Sequence, residues 1–160
     1  MAIDSFLKLG TLKGESVVKG FEDQMQLLSW GWGMTQTGTT HSAAGGGAGK
    51  VEVHDLQVTK HLDAASPTLA LACCKGSHYD SAVLTMRKAG GTALEYVTIT
   101  LTDLIVSSYS CAESGGDLLT ETFSLNFAKF KYSYQPQDNK GAKKGGAIDA
   151  TFDIAKSVDA

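Results

Sequence analysis

The chain has 160 residues, a mass of 16.8 kDa, 42% hydrophobic residues and a formal net charge of −3. That length suits a single domain, residues 1–160, which buries a core without disulfides or metals. No apolar run is long enough to cross a bilayer as a helix, and a mildly acidic chain lacks the basic surface that phosphate backbones need, so neither membrane nor nucleic acid is an expected partner.

Ile3 to Leu9 alternates, with Ile3, Ser5, Leu7 and Leu9 on one side and Asp4, Phe6 and Lys8 on the other, which predicts a first strand ended by Gly10. Gly14-Glu15-Ser16 reads as a turn. A long second strand is predicted from about Gln24 to Met34, with Leu28, Trp30, Trp32 and Met34 on one face. Leu27, Ser29, Gly31 and Gly33 then share the reverse face, small enough for another molecule to approach. Residues 35–50, TQTGTTHSAAGGGAGK, are small, polar and glycine-rich between strong strands. Long structureless loops are uncommon in compact domains, so an extended arm or β-ribbon reaching away from the body is the reading.

Val53 to Gly76 holds the one predicted helix. Leu56 and Val58 mark a strand with Gln57 and Thr59 on its other side, and Asp63 to Pro67 then breaks it. Ser66 is placed to N-cap a helix over about 66–76, with Pro67 at its first position. Leu69, Ala70, Ala72 and Cys73 give a short apolar stripe, Lys75 suits the negative end of the helix dipole, and Gly76 suits a left-handed close. Ala82, Leu84 and Met86 mark a strand that ends at Arg87 and a Gly90-Gly91 turn. Val97, Ile99 and Leu101 alternate with threonines, and the phase then flips to Leu104 and Val106. Phe123, Leu125 and Phe127 flip likewise to Phe130, Tyr132 and Tyr134. Such half-turns predict β-bulges or strands passing from one sheet to another. The basic loop at Lys140, Lys143 and Lys144 reads as a solvated turn, and Ile148 to Ile154 as the last strand. The fold class is therefore mainly β: a small two-sheet β-barrel with one short flanking α-helix and an extended Gly-rich loop.

Chemical motifs are sparse. Gly45 to Lys50 imitates a phosphate loop, but Ala44 and Val51 stand where glycine and Ser or Thr belong, and a strand follows where a helix is needed. The four histidines, His41, His54, His61 and His78, lack metal-binding spacing, and no serine lies in a GxSxG elbow. Three cysteines, two of them adjacent, suit buried thiols in a reducing compartment. Asp55, Lys60 and Asp63 read as surface or interface ion pairs, because alternation puts the two acids in one strand phase and the lysine in the other. No catalytic residue, cofactor or metal site is expected. The N-terminus lacks the charged start, long apolar centre and cleavage site of a Sec signal peptide, so folding in the cytoplasm, with any export by another route, is the expectation.

Taken together, the segments AIDSFLKLG, LSWGWGMTQTG, GGGAGKV, DLQVTKHLDAASPTLALACCKG, LTMRKAGG, EYVTITLTDLIVSSYS and ETFSLNFAKFKYSYQPQ resemble the haemolysin-coregulated protein (Hcp) family over essentially the whole chain. That resemblance implies a homohexamer ring whose copies stack into the tube of type VI secretion, with sheath, spike and secreted effectors as partners. It implies a protein that is cytoplasmic before firing and then secreted, with no catalysis. It also implies a lumen face at Ser29, Gly31 and Gly33, where the family often carries a serine at the position of Gly31. Finally it implies contacts to neighbouring subunits through the arm at Thr39, Thr40, His41, Ser42, Gly45, Gly46 and Gly47. Two other readings compete: a monomeric ligand-binding β-barrel, which needs room inside, and a hydrolase whose site is assembled by the fold.

Overall fold

A computed structural model describes residues 3–38, 40–41, 47–88, 93–113 and 115–159. Along the chain run β1 (Ile3–Leu9), β2 (Met25–Gln26), β3 (Ser29–Gly31), β4 (Met34–Gly38), β5 (Ala48–Val53), β6 (Leu56–His61), α1 (Ser66–Lys75), β7 (His78–Lys88), β8 (Glu95–Ala112), β9 (Thr120–Tyr134) and β10 (Ile148–Asp153). Eight strands form one antiparallel sheet in the order β2-β1-β7-β8-β9-β6-β3, with β10 also paired to β9; β4 and β5 form a separate two-stranded ribbon.

The ends of that strand order meet. Its two margins, β2 and β3, are neighbours in sequence, and the peptide between them joins the sheet to itself. The Leu27 N–H donates to the Ser5 carbonyl of β1, while the next N–H, that of Leu28, donates to the Thr59 carbonyl of β6, both at 2.9 Å. The sheet is thereby curled around its core, which hides margins that would otherwise invite pairing with other chains. Closure corrects the expected Gln24–Met34 strand: it is three short pieces, because its two ends pair with different strands. The side-chain phase changes with it, so Met25 and Leu27 are buried while Leu28 is 53% and Met34 44% exposed.

The alternation read in the long strands holds. Ala82, Leu84, Met86, Ile99, Leu101, Phe123 and Leu125 face the core. The two phase flips lie side by side: Leu101 faces Phe130 and Leu104 faces Phe127 across the β8–β9 ladder. Between them Asp103 takes a positive φ of 54°, which turns the following residues over while the register is kept. A second irregularity falls between Val106 and Ser108, where the β8–β9 register shifts; Ser107 is the extra residue of a bulge.

Helix α1 packs against β8 through Leu69 and Ala72. Gly76 closes it in the left-handed region, φ 62°, with its N–H on the Ala72 carbonyl, as read. The cap differs: Ala65 holds the N-cap position and no side chain caps the helix, because the Ser66 hydroxyl is engaged elsewhere. The thiols also depart from expectation, since Cys73 is half-buried and Cys74 and Cys111 are exposed. Trp30 and Trp32 only cover the core, with Trp32 edge-on to Phe130 at 4.9 Å and stacked on Tyr132 at 6.0 Å.

Candidate functional site

The expected small face sits at the root of the ribbon. Ser29 and Gly31 are exposed in β3, opposite Thr59 and Gln57 of β6. Gly31, Trp32 and Gly33, with Glu52 to Asp55 and Gln57, line an open groove of about 640 Å³; Ser29 lies beyond that lining. A Cβ at Gly31 would meet nothing within 4 Å, and one at Gly33 would touch only His54 Nδ1 at 3.6 Å. Space, not backbone strain, is what these glycines leave. Behind the groove Asp55 is half-buried and held in place: Oδ2 accepts from the Ser107 hydroxyl at 2.7 Å and Oδ1 from the Asn126 amide at 2.8 Å. Ser107 also meets the Ser124 hydroxyl at 2.7 Å. The β8 bulge thus ties the ribbon's root to the barrel.

The arm is a ribbon as predicted, with Met34 opposite Val53 and Gly38 opposite Ala48. All five residues of β4 are exposed. Gly49 answers a close approach, because a Cβ there would lie 3.0 Å from Thr37 Cβ and 3.2 Å from its carbonyl. Of the predicted contact residues, Thr40 and His41 are exposed in a turn and Gly47 is half-buried before β5. Thr39, Ser42, Gly45 and Gly46 lie outside the described residues.

A second polar cluster was not anticipated. Lys60 is fully buried, and so is Glu121, its cross-strand partner. The Lys60 ammonium has three donors, and three acceptors meet it: Asp63 Oδ1 at 2.7 Å, Glu121 Oε1 in an ion pair, and the His61 carbonyl at 3.2 Å. The Ser66 hydroxyl donates to Glu121 Oε1 at 2.8 Å and accepts the Asp63 N–H at 2.9 Å. Tyr109 donates to Glu121 Oε2 at 2.5 Å. Burial, followed by that bond and the Glu121 charge, pushes the Tyr109 phenol well above its ordinary value. The lysine of the Lys60–Asp63 pair expected at the surface is therefore fully buried and its acid half-buried, and Asp55 belongs to a different cluster. The signal was present in the sequence: Leu56, Val58 and Lys60 share one strand phase, as do Glu121, Phe123 and Leu125, so period two carries both charges inward.

No group of three or more His, Cys, Asp or Glu fit for a metal ion occurs among the described residues. No helix among them is long and apolar enough to cross a membrane.

The family model described as "Type VI secretion system effector, Hcp" matches residues 6–134. The chain belongs to the Hcp family. It is 49% identical to "Protein hcp1" of Pseudomonas aeruginosa over 162 residues, covering 100% of both chains. Among solved structures, one described as a type six secretion system protein superposes with a TM-score of 0.92 at 29% identity, covering 99% of this chain and all of the other. Hcp1 from Salmonella typhimurium superposes at 0.80 with 33% identity, covering 100% of each chain. A type VI secretion system effector from Yersinia pestis gives 0.78 at 29% identity, over 94% of this chain and 99% of that one. This Hcp chain is thus a type VI secretion system protein with a curled, mostly β fold.

Proposed function

We propose that this Hcp chain is the subunit of the secretion tube: six copies close a ring, rings stack head to tail, and the lumen carries effectors for export. One observation bears most of the weight. The barrel interior is filled by Phe123, Leu125, Leu101 and Leu84, while the β4–β5 ribbon stands apart from the main sheet with every residue of β4 exposed. A subunit whose described interior is filled by side chains works through its outside. In this reading Ser29, Gly31 and Gly33 face the lumen, and the arm from Thr39 through Thr40, His41, Ser42, Gly45 and Gly46 to Gly47 reaches the next ring. Sheath and spike proteins drive and tip the tube, which starts in the cytoplasm and ends outside the cell. A monomeric ligand-binding barrel would need the space that those core side chains occupy.

Light scattering on the purified protein tests the reading, with an expected particle of six times the 16.8 kDa chain mass and an annular image by electron microscopy. A particle that stays one chain at high concentration ends it. Deleting 39–47 is expected to leave rings and abolish stacks; loss of the ring itself would assign the arm to a different contact.

A further inference from the structure

The longest ladder of the fold, β8 with β9, has ends of opposite character. At one end Ala112 faces Thr120 across the hairpin; at the other Val97 faces Tyr134. The two ends are the first and last of the fifteen residues of β9, ~45 Å apart along extended chain. The hairpin tip carries Glu113 and Asp117, both exposed, beside Leu118 and Leu119, 61% and 46% exposed. Leu62 joins them, its N–H on the Leu119 carbonyl at 3.1 Å, and Leu28 lines the same cleft as Leu62. These two are 37% and 53% exposed. Four leucines open to water at one end of a subunit form an interaction surface, not scattered exposure.

The far end carries the complement. The loop from β9 to β10 presents Lys140, Lys143 and Lys144, all exposed, next to the exposed cross-strand pair Tyr134 and Ile148. Other charges there are mostly engaged: Asp138 Oδ1 accepts the N–H groups of Lys140 and Ala142, and Asp149 pairs with Lys131, while Lys88 and Glu95 offset one another in sign. Neither the two acids nor the three lysines take part in an ion pair among the described residues.

We infer that the acidic, leucine-rich tip of one subunit docks on the basic loop of a second copy of this chain, as a ring-to-ring contact beside that of the arm. The argument is geometric as well as electrostatic. Two different patches that fit one another make a head-to-tail contact, and patches at opposite ends of a strand face away from each other. Such a contact propagates along a line wherever its rotation does not close a ring. Complementary charge sets polarity, since tip against tip or loop against loop places like charges together. The apolar residues at both ends supply area that the charges orient.

The inference rests on the tube reading, and its test separates the two. Wild-type protein is sized by light scattering and imaged by electron microscopy over rising concentration at low salt. It is compared with K140E/K143E/K144E, with E113K/D117K, and with a chain carrying all five changes. All are expected to keep the ring mass and an unchanged thermal midpoint. Each reversal alone lowers the stacked fraction about tenfold or more, and the five-change chain recovers it. The single changes Lys143→Glu and Asp117→Lys act in the same direction to a smaller extent. Undiminished stacking in both reversals, or no recovery in a folded five-change chain, overturns the contact. Rings that fall apart in the reversals overturn it too, by placing these patches between ring neighbours. A wild-type ring that never stacks sinks this inference together with the stacking it rests on, and leaves the ring; a wild-type monomer sinks the tube reading whole.

Discussion

Strands β6, β8 and β9 carry or adjoin two polar clusters a few residues apart, one built on a fully buried ion pair and the other beside the groove. In the first, Lys60, Glu121, Asp63, Ser66 and Tyr109 satisfy one another, with both charges of the cross-strand pair fully buried. In the second, Asp55 is half-buried and held by neutral donors, Ser107 and Asn126. The contrast is one of neighbours. A charge on the core face must meet an opposite charge and use every donor, because little else there can solvate it. A carboxylate beside a groove needs only enough bonds to stay oriented, and it remains within reach of whatever fills that groove.

Breaking the buried pair has the largest expected effect. Lys60→Met leaves Glu121 buried with no cation and costs ~3–5 kcal/mol, whereas Asp55→Asn costs about 1 kcal/mol because its partners can turn to suit an amide. Urea denaturation of both variants checks the pair; equal losses would erase the distinction. Next in size is a pH effect at Tyr109. Its raised pKa means that the folded state keeps a proton the unfolded chain releases near the ordinary phenol value of about 10. The stability it contributes is therefore full below that pH and is lost as pH rises above it. Urea midpoints taken from about pH 9 to about pH 11 should fall more steeply for the wild type than for Tyr109→Phe, and parallel slopes would exclude the proposed linkage. Smallest of all is Gly31→Ser in the groove. With nothing within 4 Å of a Cβ there, stability should hold within ~0.5 kcal/mol, while in the proposed tube effector retention is the property expected to change. A large fall in stability would mean that the position is packed.

Much of this architecture was legible before any coordinates. The runs Ala82-Leu84-Met86, Ile99-Leu101 and Phe123-Leu125-Phe127 announce strands with one buried face, the double phase flip announces a bend, and Gly76 announces the helix end. The ribbon was legible from composition. What stayed hidden depends on partners distant in sequence. Nothing local to Leu27 and Leu28 says that one bonds to β1 and the other to β6, so three pieces read as one strand. Ser66 looked like a cap because Glu121, which takes its hydroxyl, lies 55 positions away. Lys60 read as a surface or interface partner because its phase differs from that of Asp55 and Asp63, although the phase it shares with Leu56 and Val58 points inward. The groove at Gly31 and Gly33 showed only as an absence of bulk, and its acidic and imidazole rim comes from residues 52–55 across the ribbon.

The peptide linking Leu27 to Leu28 acts as a clasp. Two adjoining amides grip opposite lips of the same cylinder, so neither lip drifts without tugging the other. If subunits stack as proposed, a push along the column meets a hoop rather than a pleat, fastened by those two backbone bonds.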